Sequence, residues 1–265
     1  IIFSDILVVP ESMGLSYEMV EKKGPYFPKT IKTSNDIKNI SIPDVHDNLS
    51  YVFEAIKITK SELKGKVPLI GFAGAPWTIF AYMIEGQGSK TFSKAKSFLY
   101  REPDLSHQLL GLITETTIAY LKAQISSGAD LVQLFDSWAG ILTHQQYEEF
   151  GMKYVHKICH AIHEAPVTVF AKGAYSALEN MKGLNCETIG LDWNMSISEA
   201  KTIFQNQKTL QGNLDPCVLY GDYNLIKHKT KEMLNSFAGH RHIANLGHGV
   251  YPDISPDHVK CFIET

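Results

Sequence analysis

The chain is poor in arginine. Arg101 and Arg241 are its only two among 265 residues, and lysine supplies the other cations. The formal net charge is -3. That balance leaves no basic stripe or patch of the kind nucleic-acid binders carry, so no nucleic-acid partner is expected. No apolar run approaches the roughly 20 residues that span a bilayer, and no charged-then-apolar leader is visible. A cytoplasmic protein without a membrane partner is the expectation. Cysteine is also sparse. Cys159, Cys186, Cys217 and Cys261 are spread along the chain with no C-x-x-C pair, which argues for reduced thiols over a disulfide framework or a zinc site. Three catalytic signatures are missing as well. No G-x-G-x-x-G follows a strand pattern, so a dinucleotide fold has little support. No G-x-S-x-G suggests a hydrolase serine, and no H-E-x-x-H suggests a zinc hydrolase.

What remains is an ordinary globular composition, 44% hydrophobic and 20% charged, read as a single domain over residues 1–265. Short Ile/Val/Leu-rich runs alternate with longer amphipathic stretches. The strand candidates are "IIFSDILVV" (1–9), "VPLIGFA" (67–73), "DLVQLFD" (130–136), "VTVFAK" (167–172), "TIGLDW" (188–193), "KTLQGN" (208–213) and "RHIANL" (241–246). Most are apolar on both faces, as in a covered parallel sheet. Helical patterns lie at 44–63, 103–127, 176–182, 196–205 and 223–236. Thr143 and Gln146 form a capping-box signature before a further helix, and "SPDH" (255–258) starts the last, with Ser255 as N-cap and Pro256 at the first helical position. Residues 22–43 read as a surface excursion. Strand–helix alternation without hairpins predicts an α/β fold, and its regularity predicts a (β/α)8 barrel. Seven strands are counted, not eight. Because the chain opens inside a strand pattern, the expectation is a barrel whose first βα unit is missing.

In such a barrel the chemistry sits at the C-terminal ends of the strands. Polar residues recur there: Asp5, Asp136 and Ser137, Lys172, Asp192, Asn213 and Asp215, and His248 between two glycines. The glycines of "GFAGAPW" (71–77) let a ligand approach the backbone. A strand-end Asp ordinarily caps the following helix or bonds loop amides, and Asp192 and Asp215 fit that role. Asp5 does not, since it interrupts an apolar run, and a lone carboxylate there is costly without a partner. Lys172 is open to two readings, a Schiff-base lysine or an ion pair in the barrel mouth. The pair His240 and His242 falls at the start of the last strand, opposite the expected site, and reads as surface.

The segments "FSDILVVP", "GFAGAPWTIFAYMIEG", "FDSWAG", "FAKGA", "GLDW", "LQGNLDP" and "ANLGHGVYPD", in this order, resemble the uroporphyrinogen decarboxylase family over essentially the whole chain. The resemblance implies a (β/α)8 barrel, a homodimer, and removal of carboxyl groups from the four acetate arms of uroporphyrinogen to give coproporphyrinogen and carbon dioxide, with no cofactor and no metal. It implies that Asp5 grips the pyrrole N–H groups and, with Tyr82, is catalytic. It places Ser137 and His248 on the substrate and Ile1, Phe72 and Gly74 in the wall around the macrocycle. The family's R-Q-A-G-R-Y motif, whose arginines bind substrate carboxylates, does not occur here, so this polypeptide is expected to be impaired. Two rival readings stand beside it. A corrinoid-dependent methyltransferase on the same barrel would need a His-x-Cys zinc pair, and the chain has none. A non-catalytic tetrapyrrole-binding protein would bind without turnover.

Overall fold

The computed structural model describes residues 1, 4–21 and 24–265. Its centre is a six-stranded parallel sheet in the order β3-β4-β5-β6-β7-β8. Each strand lies beside its predecessor and is reached through a helical crossover, the topology of a barrel wall. Before it come α1 (Val8–Ser12), an antiparallel ribbon β1 (Glu18–Val20) and β2 (Gly24–Tyr26), α2 (Ser34–Lys38), α3 (Val45–Asn48) and α4 (Ser50–Leu63). The wall runs β3 (Ile70–Gly74), α5 (Pro76–Glu85), α6 (Ser93–Arg101), α7 (Pro103–Ser126), β4 (Leu131–Asp136), α8 (His144–Tyr147), a π-helical turn (Glu148–Met152), α9 (Lys153–Ala161) and β5 (Val167–Ala171). It continues with β6 (Thr188–Gly190), α10 (Ile197–Phe204), β7 (Thr209–Leu214), α11 (Tyr223–Ser236), β8 (His242–Leu246) and α12 (Pro256–Ile263). Among the described residues no ladder joins β8 to β3. Ile243, Ala244 and Asn245 of β8 are exposed.

Six of the seven expected strands are present within a few residues of their predicted limits. The seventh, 1–9, is a correction. Residues 2 and 3 of that run lie outside the described residues, and the chain from Asp5 onward makes a turn and then α1. Val8, Val9 and Pro10 are buried, but on a helix. A short apolar run cannot distinguish a buried strand from a buried helix by pattern alone. Pro10, read as a strand stop, sits in the first helical turn, where its missing N–H removes no helical bond. The antiparallel ribbon is a second correction, since no hairpin was expected. Residues 24–43 are also more than a surface excursion, because Phe27, Ile31, Ile37 and Ile40 pack into the core. The 44–63 helix breaks at Leu49 into α3 and α4, and 176–182 forms 3-10 turns in place of an α-helix. Helices α5 and α6 had not been anticipated. The capping box of Thr143 with Gln146 and the Ser255 cap are present as read.

The inner face of the wall is set by strand parity. Phe72, Phe135 and Phe170 meet edge to face at 5.7 and 6.1 Å across β3, β4 and β5. Gln133 and Gln211 are buried and bonded to one another at 3.3 Å. The residues two positions further along this face are Ser137 on the β4 side and Lys172 on the β5 side.

Candidate active site

The open mouth of the wall holds a cleft of about 410 Å³. Ile1, Ser137 and His248 line it, with Gln133, Phe135, Phe170, Leu191, Gln211 and Asn245. Three of the seven expected site residues are therefore on its surface. The other four are not among its lining residues. Phe72 is buried against Phe135, and the Gln124 side chain bonds both its backbone groups, at 2.9 and 2.8 Å. Gly74 lies beneath Ile6 and Ile79; a Cβ there would meet each at 3.1 Å.

Tyr82 projects from α5 and is half-buried, its ring edge-on to Phe92 at 5.7 Å. Burial raises its phenol pKa; a hydrogen bond with Trp138 opposes this, and the charge of Asp5 adds to it. Asp5 and Tyr82 thus share one electrostatic neighbourhood. The chain places Tyr82 there through a second contact set. Thr78, one helical turn earlier on α5, donates to Asp136 at 2.6 Å and accepts the Trp138 N–H at 3.3 Å. The Trp77 indole N–H donates to the Trp138 carbonyl at 2.9 Å. These bonds lock α5 to the loop that carries Ser137.

Asp5 is half-buried in a turn, not enclosed in a strand. One of its oxygens accepts the Leu7 N–H at 2.9 Å. The burial argument for a ligand partner therefore weakens at this position, and loop-amide bonding accounts for one of its oxygens. Its second oxygen has no hydrogen bond within the described residues and is free for a donor.

His248 stands edge-on to Trp193 at 5.9 Å and faces Phe170 at 6.4 Å. Burial lowers its pKa, and the positive charge of Lys172 lowers it further. Gly247 is required beside it, because a Cβ there would run into the Trp193 backbone. The two capping aspartates behave as read. Asp192 accepts the Gly173 and Asn194 N–H groups at 2.6 and 2.8 Å, and Asp215 accepts the Cys217 N–H at 2.8 Å. His242 is half-buried, not a surface residue: it stacks on Phe237 at 3.7 Å and donates to the Gly212 carbonyl at 2.6 Å. Among the described residues no three His, Cys, Asp or Glu side chains are grouped to hold a metal. No helix of the described residues is long and apolar enough to cross a membrane.

The sequence marked Asp136 as a strand-end polar residue but gave no sign that its carboxyl is fully buried, which lifts its pKa to about 6. Sequence reasoning missed Trp138, which ties Tyr82 to the Ser137 loop. The two-residue parity of Gln133, Phe135 and Ser137 was the available signal for the lining residues.

A parallel α/β wall that brings a hydroxyl after β4 and an imidazole after β8 to one cleft, with a phenol on α5 tied to the Ser137 loop through Trp138, defines a barrel-type α/β enzyme. The family model described as uroporphyrinogen decarboxylase (URO-D) matches residues 1–265. Uroporphyrinogen decarboxylase of Schizosaccharomyces pombe is 47% identical over all of this chain and 77% of its own length. The Homo sapiens protein of the same name is 44% identical over all of this chain and 75% of its own length. The chain belongs to the uroporphyrinogen decarboxylase family, whose members are carboxy-lyases. Among solved structures, a methyltransferase from Methanosarcina mazei superposes with a TM-score of 0.85 at 22% identity, over 99% of this chain and 78% of that one. A B12-independent methionine synthase from Shewanella sp. W3-18-1 superposes at 0.58 and 10% identity, over 94% of this chain and 71% of that one. These two likenesses concern the fold alone.

Proposed function

We propose that this chain removes the acetate carboxyl groups of uroporphyrinogen, with Asp5 and Tyr82 as its catalytic residues. Ile1, Phe72, Gly74, Ser137 and His248 form the surrounding substrate contacts and walls. The observation that carries the reading is that Tyr82 feels the charge of Asp5 and is bonded to Trp138, the residue next to Ser137 of the cleft. A pyrrole can serve as its own electron sink. Protonation beside an acetate arm gives a cationic ring, which accepts the C–C bonding electrons as carbon dioxide leaves. The methylene left behind takes one proton and becomes a methyl group, and the ring carbon then gives up the proton it first accepted, restoring the neutral pyrrole. Each arm thus exchanges one carbon dioxide for one proton. A carboxylate near the pyrrole N–H groups stabilises the positive charge where it develops, and a cleft poor in water strengthens that effect. The free oxygen of Asp5 is the acceptor in this scheme. Tyr82 stays protonated at neutral pH, because burial holds its phenol above the ordinary value. Its O–H is then a hydrogen-bond donor to a substrate carboxylate.

The assembly we propose is a cytoplasmic homodimer, to be checked by sedimentation equilibrium. The catalytic reading is tested by anaerobic incubation with uroporphyrinogen and chromatography of the oxidised products. Loss of carboxyl groups one at a time supports it, and an Asp5→Asn chain should work about 10²–10³-fold more slowly, the usual cost of one electrostatic stabiliser. Equal rates for the two chains would refute the role given to Asp5.

A further inference from the structure

Lys172 follows β5 on the inner face of the wall, and its backbone is tied to the Ser137 loop. Its N–H donates to the Asp136 carbonyl at 3.1 Å, and its carbonyl accepts the Gly140 N–H at 2.9 Å. The side chain is half-buried. Its Nζ stands 5.9 Å from the ring centre of Trp138 and 5.5 Å from that of Trp193. Two indole faces therefore hold the ammonium in place. Trp193 in turn meets His248 edge-on, and the Lys172 charge reaches His248 strongly enough to lower its pKa. Through these two rings the ammonium neighbours Ser137, next to Trp138 in the chain, and His248, edge-on to Trp193, both of which line the cleft.

An ammonium is a triple donor with no acceptor capacity. The lysine–carboxylate pairs among the described residues belong to Lys57, Lys60, Lys122, Lys229 and Lys260. Lys172 has none. The nearby Asp192 spends its oxygens on the Gly173 and Asn194 amides. Neither arginine compensates. Arg101 lies on the surface beside a different groove, and Arg241 bonds the Asn206 carbonyl below the sheet. A partly desolvated cation without a counterion, pinned between aromatic plates at the edge of a cleft, is arranged for an anion supplied from outside.

We propose that Lys172, held between Trp138 and Trp193, binds a carboxylate arm of the ligand in this cleft. This rests on the site reading given above. It gives Lys172 neither the Schiff-base role nor the internal ion pair that the sequence left open.

The test is a fluorescence titration of the full chain with coproporphyrin, which carries four carboxylates. Lys172→Met keeps the apolar stem and removes the charge; Lys172→Arg keeps the charge. The expected result is binding about ten- to hundredfold weaker for Lys172→Met, the range for a charge-assisted hydrogen bond, and within about threefold of the parent for Lys172→Arg. Added salt should weaken the parent more than Lys172→Met. Nuclear magnetic resonance of His248 is the second readout. Its pKa should rise in Lys172→Met, since Lys172 is the cation depressing it and Asp192 and the Gly249 backbone act the other way. Undiminished binding by Lys172→Met overturns the proposal and leaves the site reading intact. Equal weakening by Met and Arg overturns it as well, because packing would then be the cause. An unmoved His248 pKa removes the ammonium from the cleft rim. If the unsubstituted chain fails to bind the porphyrin, the site reading falls and this proposal with it.

Discussion

Replacing Asp136 by asparagine should make the protein more stable at neutral pH, the reverse of the usual outcome for a buried hydrogen-bonded acid. The Asp136 carboxyl is wholly buried at the end of β4. Thr78 donates to one oxygen at 2.6 Å. The other oxygen and the Tyr147 hydroxyl make no hydrogen bond of normal geometry, although Tyr147 is near enough to lower the carboxyl's pKa. Burial lifts its pKa from 3.8 to about 6, with Thr78 and Tyr147 opposing. A folded-state pKa above the unfolded one means that the native protein holds its proton longer. The resulting cost is absent below pH 3.8, grows through the interval, and is complete above about pH 6. Its size is about 3 kcal/mol, at 1.36 kcal/mol per tenfold change in proton affinity. Asparagine never ionises and so never incurs it. The substitution also disturbs the Thr78 and Tyr147 contacts, at roughly 1 kcal/mol, but that loss is the same at every pH. The informative quantity is therefore the change with pH. Urea unfolding of Asp136→Asn and the parent, compared between pH 4.5 and pH 8, should show the variant gaining about 2–3 kcal/mol relative to the parent. A difference that stays flat, or turns against the variant as pH rises, would refute the reasoning about an uncompensated buried carboxylate.

Thr78→Val should cost about 1–3 kcal/mol by leaving Asp136 and the Trp138 N–H without their shared hydroxyl, and Thr78→Ser should recover most of it; thermal unfolding at pH 7 distinguishes them, and equal values for Val and Ser would exclude the hydroxyl as the cause. Gly247→Ala should lower porphyrin affinity by more than about tenfold, because its Cβ collides with the Trp193 backbone and a displacement of about 1 Å in a site can cost 10²-fold; unchanged affinity would mean that the His248–Trp193 contact is not used. His248 has its pKa below 6.5 in the folded chain, so the stability it confers is complete above pH 6.5 and falls as pH drops through its folded value. His248→Asn should abolish that part of the acid sensitivity, and an identical pH dependence in urea unfolding would contradict the assignment.

Much of the wall was legible because parallel strands covered on both faces write themselves as unbroken apolar runs. Leu131–Asp136, Val167–Ala171 and Thr209–Leu214 are of this kind, and their limits were found to within one residue. Helix caps with a chemical signature were equally readable, as at Thr143 and Ser255. The opening run failed for the same physical reason that the others succeeded. Nothing in "IIFSDILVV" separates a strand from a turn and one buried helical turn, and Pro10 is acceptable in both. Helix α5 was missed because it is buried almost all round. It therefore lacks the polar face that makes a helix visible as periodicity.

The site was legible as a set of chemical types and not as an arrangement. Asp5, Ser137 and His248 stood out because polar residues are rare at the ends of apolar strands. The residues that hold the arrangement together are quieter. Thr78 and Trp138 are ordinary members of ordinary segments, and only the fold places a threonine hydroxyl between an aspartate and a tryptophan amide. Asp136 carried a visible signal, an acid at a strand end beside Ser137, but its significance depends on complete burial. Its neighbour by position, Asp192, shares the same local sequence logic and is also buried, yet both of its oxygens have amide donors while one oxygen of Asp136 has none. Two strand-end aspartates, similar as letters, therefore differ in whether the fold supplies donors for the charge that each contributes. That difference appears only when the hydrogen-bond partners can be counted atom by atom.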